Sequence, residues 1–264
     1  MVGNGSGFLK NPAPRRIHLM DELRGFAVFC MVFYHAFYTM AYLYGAAWGE
    51  VLLDFFMPAE PFFAALFIFI SGVSSDLSRS NLKRGLKLLG LALALTAVTR
   101  IAVPDEVVWF GILHFLSVCM ILFGLLKPLL GRIPFTWAWP ALCLILYFFA
   151  KPIPYGYLGF GTAALVPLPA GLYATNWLAP LGFYNRDFFS SDYFPLLPWG
   201  FVFLAGTFLG RFAAKGMLPE FAYRSRVPFF SFLGRHALLV YLVHQPVIYG
   251  AAYLIFSVLS LLHR

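Results

Sequence analysis

From Gly25 to Gly49 the chain carries no Asp, Glu, Lys or Arg. A run of that length spans a bilayer as a helix, because in hydrocarbon every backbone N–H and C=O must find its partner inside the segment. Comparable apolar runs give seven expected spans, at about 22–45, 57–75, 85–104, 107–126, 133–150, 194–211 and 236–260. The expected fold class is an all-α polytopic membrane protein with about seven transmembrane helices. The third span is the least apolar, since Lys87 and Arg100 leave it a short uncharged centre. Both can snorkel to opposite interfaces.

Only 11% of residues are charged and mean hydropathy is +0.79, against about a quarter charged in soluble domains. A water-soluble core is excluded. No polar stretch is long enough for a separate soluble domain, so residues 1–264 read as one integral-membrane domain, with 1–20 as a polar cytoplasmic segment. That segment lacks the apolar core of a secretory signal, and the first span can itself direct insertion. Cys30, Cys119 and Cys143 lie in apolar runs without metal-type spacing, which reads as small buried hydrophobes rather than a disulfide framework. No metal site is expected.

The net charge of +8 does not point to nucleic acid, because the cations cluster in short loops beside the spans. With the N-terminus inside, fifteen Lys and Arg fall on the cytoplasmic side and four (Arg100, Lys151, Arg186 and Arg264) outside. This is the positive-inside bias, and it puts the C-terminus outside. Residues 152–185 are uncharged, but prolines at 152, 154, 167, 169 and 180 and glycines at 156, 159, 161, 171 and 182 interrupt any helix. An eighth span there would also move Arg211, Lys215, Arg224, Arg226 and Arg235 outside. The expectation is a long outer loop, 152–193, with re-entrant pieces left open; ordered loops of this length often cover active sites. No internal repeat is evident, which weakens an inverted-repeat transporter.

Arg24 and His35 are the ionisable pair of most interest. Eleven residues at 100° each return almost to the starting direction, so both share one face of the first helix, roughly 16 Å apart along its axis. An imidazole at that depth more often lines a polar cavity than faces lipid, and imidazole suits a general base. Asp21 and Glu22 precede the span, where Asp21 can cap its start. His114 and His244 put one histidine on each of two further spans. The three can line one chamber, and at least one is expected to be structural. Glu60, between Pro58 and Pro61, suits a helix start or a substrate contact. Ser71-Gly72 read as close helix packing. Asp192 either caps the sixth span or holds an acceptor hydroxyl or amine. Asp54 and Trp48, in the first outer loop, offer a second acid and an aromatic platform, with Trp48 weighted toward an interfacial anchor. Arg79, Lys83, Arg84 and Lys87 enforce topology and can also hold an anionic donor. No phosphate-loop or dinucleotide glycine pattern accompanies them.

The stretches MDELRGFAVFCMVFYHAF, PAEPFFAALFIFISGVS, WFGILHFLSV, SDYFPLLPWGFVFLAG and LGRHALLVYLVHQPVIYG resemble, in that order, the prokaryotic members of the heparan-α-glucosaminide N-acetyltransferase-like membrane family. The resemblance runs from about residue 15 to 250. The spacing of Arg24 and His35 is also similar to the Arg–ten residues–His motif of the acyltransferase 3 family. What the resemblance implies is transmembrane acyl transfer in the plasma membrane of a prokaryote, from cytoplasmic acetyl-CoA to a sugar-type acceptor on the other side. It implies donor binding and catalysis for Arg24 and His35. The lysosomal relative has an Asn where His35 stands and carries a catalytic His shortly before a Trp in its first luminal loop. Here Gly45, Ala46 and Ala47 precede Trp48, and His35 becomes the candidate base.

The leading expectation is thus an acetyl-CoA-dependent acyltransferase, with His35, Arg24 and His244 catalytic. His114, Glu60, Asp192, Trp48 and Asp54 would meet the acceptor, and Arg24, Arg79, Lys83, Arg84 and Lys87 the donor. Its partners are the bilayer, the acyl donor and an extracytoplasmic acceptor, with homo-oligomerisation left open. The runner-up is a proton-coupled transporter with histidines along its path, and a third reading is a b-type haem protein.

Overall fold

The computed structural model describes residues 15–262. The polar residues 1–14, with Lys10, and the terminal Arg264 lie outside the described residues. The helices are α1 (His18–Tyr38), α2 (Ala47–Phe56), α3 (Glu60–Asp76), α4 (Asn81–Ala102), α5 (Ile112–Leu130), α6 (Ala138–Ala150), α7 (Leu196–Ala214), α8 (Pro228–Arg235) and α9 (Ala237–Leu262). Among the described residues, seven segments are long and apolar enough to cross a membrane: His18–Leu43, Ala47–Asp76, Asn81–Ala102, Ile112–Leu130, Ala138–Tyr155, Leu196–Ala214 and Ala237–Val258. The chain is a multi-pass all-α membrane protein.

Several boundaries differ from the sequence reading, each for a local reason. α1 starts at His18 rather than 22, so Asp21 lies inside the helix instead of capping it. Its carboxylate accepts from Arg16 Nε at 2.8 Å. Glu22 reaches the start of α8, where Oε1 accepts from the backbone N–H of Arg226 at 2.7 Å and of Val227 at 2.9 Å. The expected first outer loop is largely helical: past Gly45, at φ +59°, the chain forms α2 and runs through a 3₁₀ turn, Met57–Ala59, into α3. The fourth span starts at Ile112 rather than 107, because 107–111 is drawn out against residues 191–194. There Ser191 N–H donates to Val107 O at 3.2 Å and Phe194 N–H to Phe110 O at 3.1 Å, and Phe110 turns to φ +50°. Within 152–193 the chain makes 3₁₀ turns and one small antiparallel hairpin, β1 (Tyr157–Phe160) with β2 (Ala163–Pro167), bulged at Leu158/Gly159.

Contacts fix which helix ends lie together. Arg24 reaches Ser74, Lys127 reaches Asp76, and Arg211 reaches Leu130 and Ile133. The start of α1 and the ends of α3, α5 and α7 therefore share one end of the bundle. Chain connectivity adds the starts of α4 and α9. Every Lys and Arg among the described residues except Arg100, Lys151 and Arg186 belongs to this basic end. The opposite end carries the 152–193 segment and the starts of α3, α5 and α7.

Small residues set the packing. A Cβ on Gly72 would fall on the Phe203 carbonyl, and one on Gly206 on the Phe69 carbonyl. α3 and α7 thus touch backbone to backbone, as the packing reading of Ser71-Gly72 expects. Gly25 and Gly234 do the same for α1 and α8. The core, centred on Ile68, Phe115, Leu116, Phe123, Val202 and Phe203, lies where α3, α5 and α7 meet. All three cysteines are free thiols, with Cys119 and Cys143 buried.

Candidate active site

α1 is continuous from His18 to Tyr38, so Arg24 and His35 share a face along one rod. Each lines a cavity. Arg24 Nη2 donates to Ser74 Oγ at 2.6 Å, and Nη1 lies 3.6 Å from Asp21 Oδ1. Beside it a cavity of about 620 Å³ opens between α1, α3, α4, α5 and the start of α9, walled by Arg84, Lys87, Arg235, Ser71 and Ser74 among others. Positions 84, 87, 88 and 91 face it at the helical period. Arg79 and Lys83 are exposed outside it.

His35 lines a second cavity, of about 310 Å³, together with Glu60, Asp192, Tyr34, Tyr193, Trp199 and Tyr241. No Lys or Arg among the described residues lines it. Asp192 is held over the first turn of α5: Oδ2 accepts from Ile112 N–H at 3.0 Å and from the Tyr241 hydroxyl at 2.6 Å. Gly111 makes this approach feasible, since a Cβ there would collide with Oδ2. A carboxylate at the positive end of a helix is favoured, yet burial pushes the Asp192 carboxyl above its ordinary range, against the lowering effect of those two bonds. Ser190 and Ser191 tie the same strap to the backbone of Trp109 and Glu106.

Behind His35 stands α9. Tyr241, His244 and Gln245 occupy i, i+3 and i+4 and so share a face. The His35 and His244 rings lie 4.9 Å apart at 53°. His244 Nδ1 is 2.6 Å from Tyr241 O, and His35 Nδ1 is 3.0 Å from Gln245 Nε2. Phe67 and Tyr241 line both cavities, so two side chains divide the basic chamber from the acidic one.

The fold thus brings His35, Glu60, Asp192 and His244 together, and Arg24 with Arg84 and Lys87. It leaves other candidates apart. His114 is buried against Thr96, whose Oγ1 lies 3.2 Å from its Nε2, and stacks on Phe110. It lines neither cavity. Trp48 and Asp54 are exposed on α2 and line neither. Sequence reasoning missed Tyr241, Gln245, Ser74 and Trp199, and gave Arg235 only a topological role. The α9 spacing of 241, 244 and 245 was the available signal for the first two; Arg235 offered none beyond its charge.

A family model described as "Heparan-alpha-glucosaminide N-acetyltransferase, catalytic" matches residues 16–246, which span the site from Arg24 through Gln245. No curated protein and no solved structure matches the chain.

Proposed function

The chain belongs to the heparan-alpha-glucosaminide N-acetyltransferase catalytic family, whose members are membrane acetyltransferases, and from that premise we propose that it moves an acetyl group from acetyl-CoA across the bundle to an amine or hydroxyl at the far side. The observation that carries this reading is the pair of cavities meeting at Phe67 and Tyr241, one basic and one acidic. The basic chamber suits the donor: Arg24, Arg84, Lys87 and Arg235 supply four cations for phosphates. By the positive-inside rule this end faces the cytoplasm, where acyl donors are made, and the membrane is the plasma membrane of a prokaryote.

The acidic chamber suits the acceptor. Glu60 and Asp192, with no cation among the described residues lining their chamber, favour a group that arrives positively charged, and Trp199, Tyr193 and Tyr34 offer aromatic faces to a sugar-type ring or an ammonium. An amine therefore fits better than a neutral hydroxyl. An ammonium first gives one proton to a carboxylate of the chamber, which frees its lone pair. His35, lining the same chamber, takes a second proton as the neutral amine attacks the acyl carbon; the C–S bond breaks and His35 passes that proton to the leaving thiolate. His244 supports that imidazole from α9. Positioning both reactants in one water-poor space supplies much of the rate, and proton transfer adds about 10²–10⁴-fold.

The test is acetyl transfer by purified protein with labelled acetyl-CoA and aminosugar acceptors, beside calorimetric titration of the donor. His35→Ala is expected to fold and bind donor yet transfer nothing. Wild-type turnover in that variant would remove His35 from the chemistry. Acceptor uptake into vesicles without release of free coenzyme A would identify a carrier instead.

A further inference from the structure

Gln245 touches His35, yet the transfer step leaves it no task. Its amide is satisfied on one side only: Nε2 lies 3.0 Å from His35 Nδ1, while Oε1 is buried without a hydrogen-bond partner among the described residues. An amide nitrogen can only donate. In this orientation His35 Nδ1 must carry the lone pair and Nε2 the proton, so the ring can donate to the chamber but cannot accept from it.

A half-turn of the amide exchanges oxygen and nitrogen with almost no change in shape. Oε1 would then accept from His35 Nδ1–H, and the lone pair would move to Nε2, where a base needs it. Because Oε1 has no partner to lose, the turn replaces one hydrogen bond with another of the same kind. His244 does not compete for this role. Its Nδ1 is turned to the Tyr241 carbonyl, which can only accept, so its own proton is fixed on Nδ1 and its enclosed Nε2 holds a lone pair.

We propose that Gln245 is a positioning residue that selects the tautomer of His35, with Oε1 facing Nδ1 in the reactive form. The inference rests on the acetyltransferase reading and adds to it the group that makes His35 a base. The acceptor's proton passes to His35 Nε2 as the new bond to the acyl carbon forms and the C–S bond breaks. The same proton then leaves Nε2 for the thiolate, while Nδ1–H keeps donating to Oε1 throughout. The titratable groups that touch His35 or share its chamber are His244 and Tyr241 from α9, Glu60 from α3, Asp192 and Tyr193 from the outer strap and Tyr34 from its own helix.

Two variants and one spectrum test it. Gln245→Glu offers Nδ1 only acceptor atoms and a negative charge, so kcat should be retained within about tenfold while the acid limb of the pH–rate profile moves to higher pH. Gln245→Met keeps length without an amide, so kcat should fall about 10–100-fold with the acceptor KM unchanged. Nitrogen-15 spectra of labelled histidine, with the His35 signal assigned by its loss in His35→Gln, should report Nδ1-protonated His35 in Gln245→Glu. Wild-type kcat in Gln245→Met, or an unmoved acid limb in Gln245→Glu, would overturn the proposal. If wild-type protein transfers no acetyl group, the function reading fails by itself. The spectra then decide the tautomer alone: a His35 Nε2-protonated in Gln245→Glu would sink it.

Discussion

Replacing Gly206 by Ala should push α3 and α7 apart, and the geometry fixes how far. The added Cβ would meet the Phe69 carbonyl oxygen and sit 3.0 Å from its carbon. It lies roughly 1 Å inside the distance at which carbon rests against a carbonyl oxygen. Neither partner can yield alone, since both belong to helical backbone. A rigid separation of that size forfeits about a quarter to a half of each dispersion contact along the seam, which suggests a loss of about 2–3 kcal/mol, the range of overpacked sites. Gly72 faces the same seam and meets the Phe203 carbonyl in the same way. One separation serves both, so the double variant should fall short of the sum by about 1 kcal/mol or more. Gly200→Ala on α7 is the control: nothing lies within 4 Å of its Cβ, and Ala should be neutral or up to about 1 kcal/mol stabilising. Because α3 carries Glu60 and Phe67 and α7 carries Trp199, the same shift should lower transfer by up to about 10²-fold. Reversible unfolding in mixed micelles measures the first effect and turnover the second. Gly206→Ala within about 0.5 kcal/mol of wild type, or a strictly additive double variant, would refute the backbone seam.

Asp192→Asn should stabilise the protein increasingly as pH rises. The native carboxyl titrates above its ordinary value because it is buried, so its contribution is full below about 3.9, the unfolded value, and is lost as pH climbs through the raised one. Asn has no such loss, and its Tm advantage over wild type should grow above about pH 4, while transfer to an amine falls; a Tm difference independent of pH would count against a buried, titrating Asp192. Arg235→Gln should raise the KM for acetyl-CoA about tenfold with little change in kcat, as expected for one lost charge-assisted contact. Arg132→Gln, exposed in the turn after α5, should leave it unchanged, and equal effects would mean that overall basicity rather than the chamber attracts the donor.

The spans were legible because hydrocarbon admits so few alternatives: a long uncharged run must be helical, and the helical period then puts Arg24 and His35 on one face. Where the chain leaves that solvent the sequence falls silent. The ten residues of α2 read as loop because Gly45 and Gly49 punctuate them and no full span fits there. The pairing of 107–111 with 190–194 joins segments some eighty residues apart, and nothing local in either announces the other. Glu22 was legible as a helix-start acid, but its partners lie more than two hundred residues away.

The same contrast explains which site residues were found. A polar side chain in the middle of a span is costly unless something receives it, so His35 and His244 announced themselves, and their rings do meet. At the basic end water makes any cation affordable, and charge alone cannot separate Arg84 and Lys87, which face the chamber, from Arg79 and Lys83, which do not. There the helical period of α4 carries the information that composition lacks. Tyr241 and Gln245 lie between these cases, amphipathic enough to pass as ordinary span residues. Their meaning appears only once α9 is laid against α1, because Gln245 needs His35 and Tyr241 needs Asp192 to satisfy its hydroxyl. A polar residue one turn or less from an intramembrane histidine, on that histidine's own face, is therefore the sequence signal that would have completed this site.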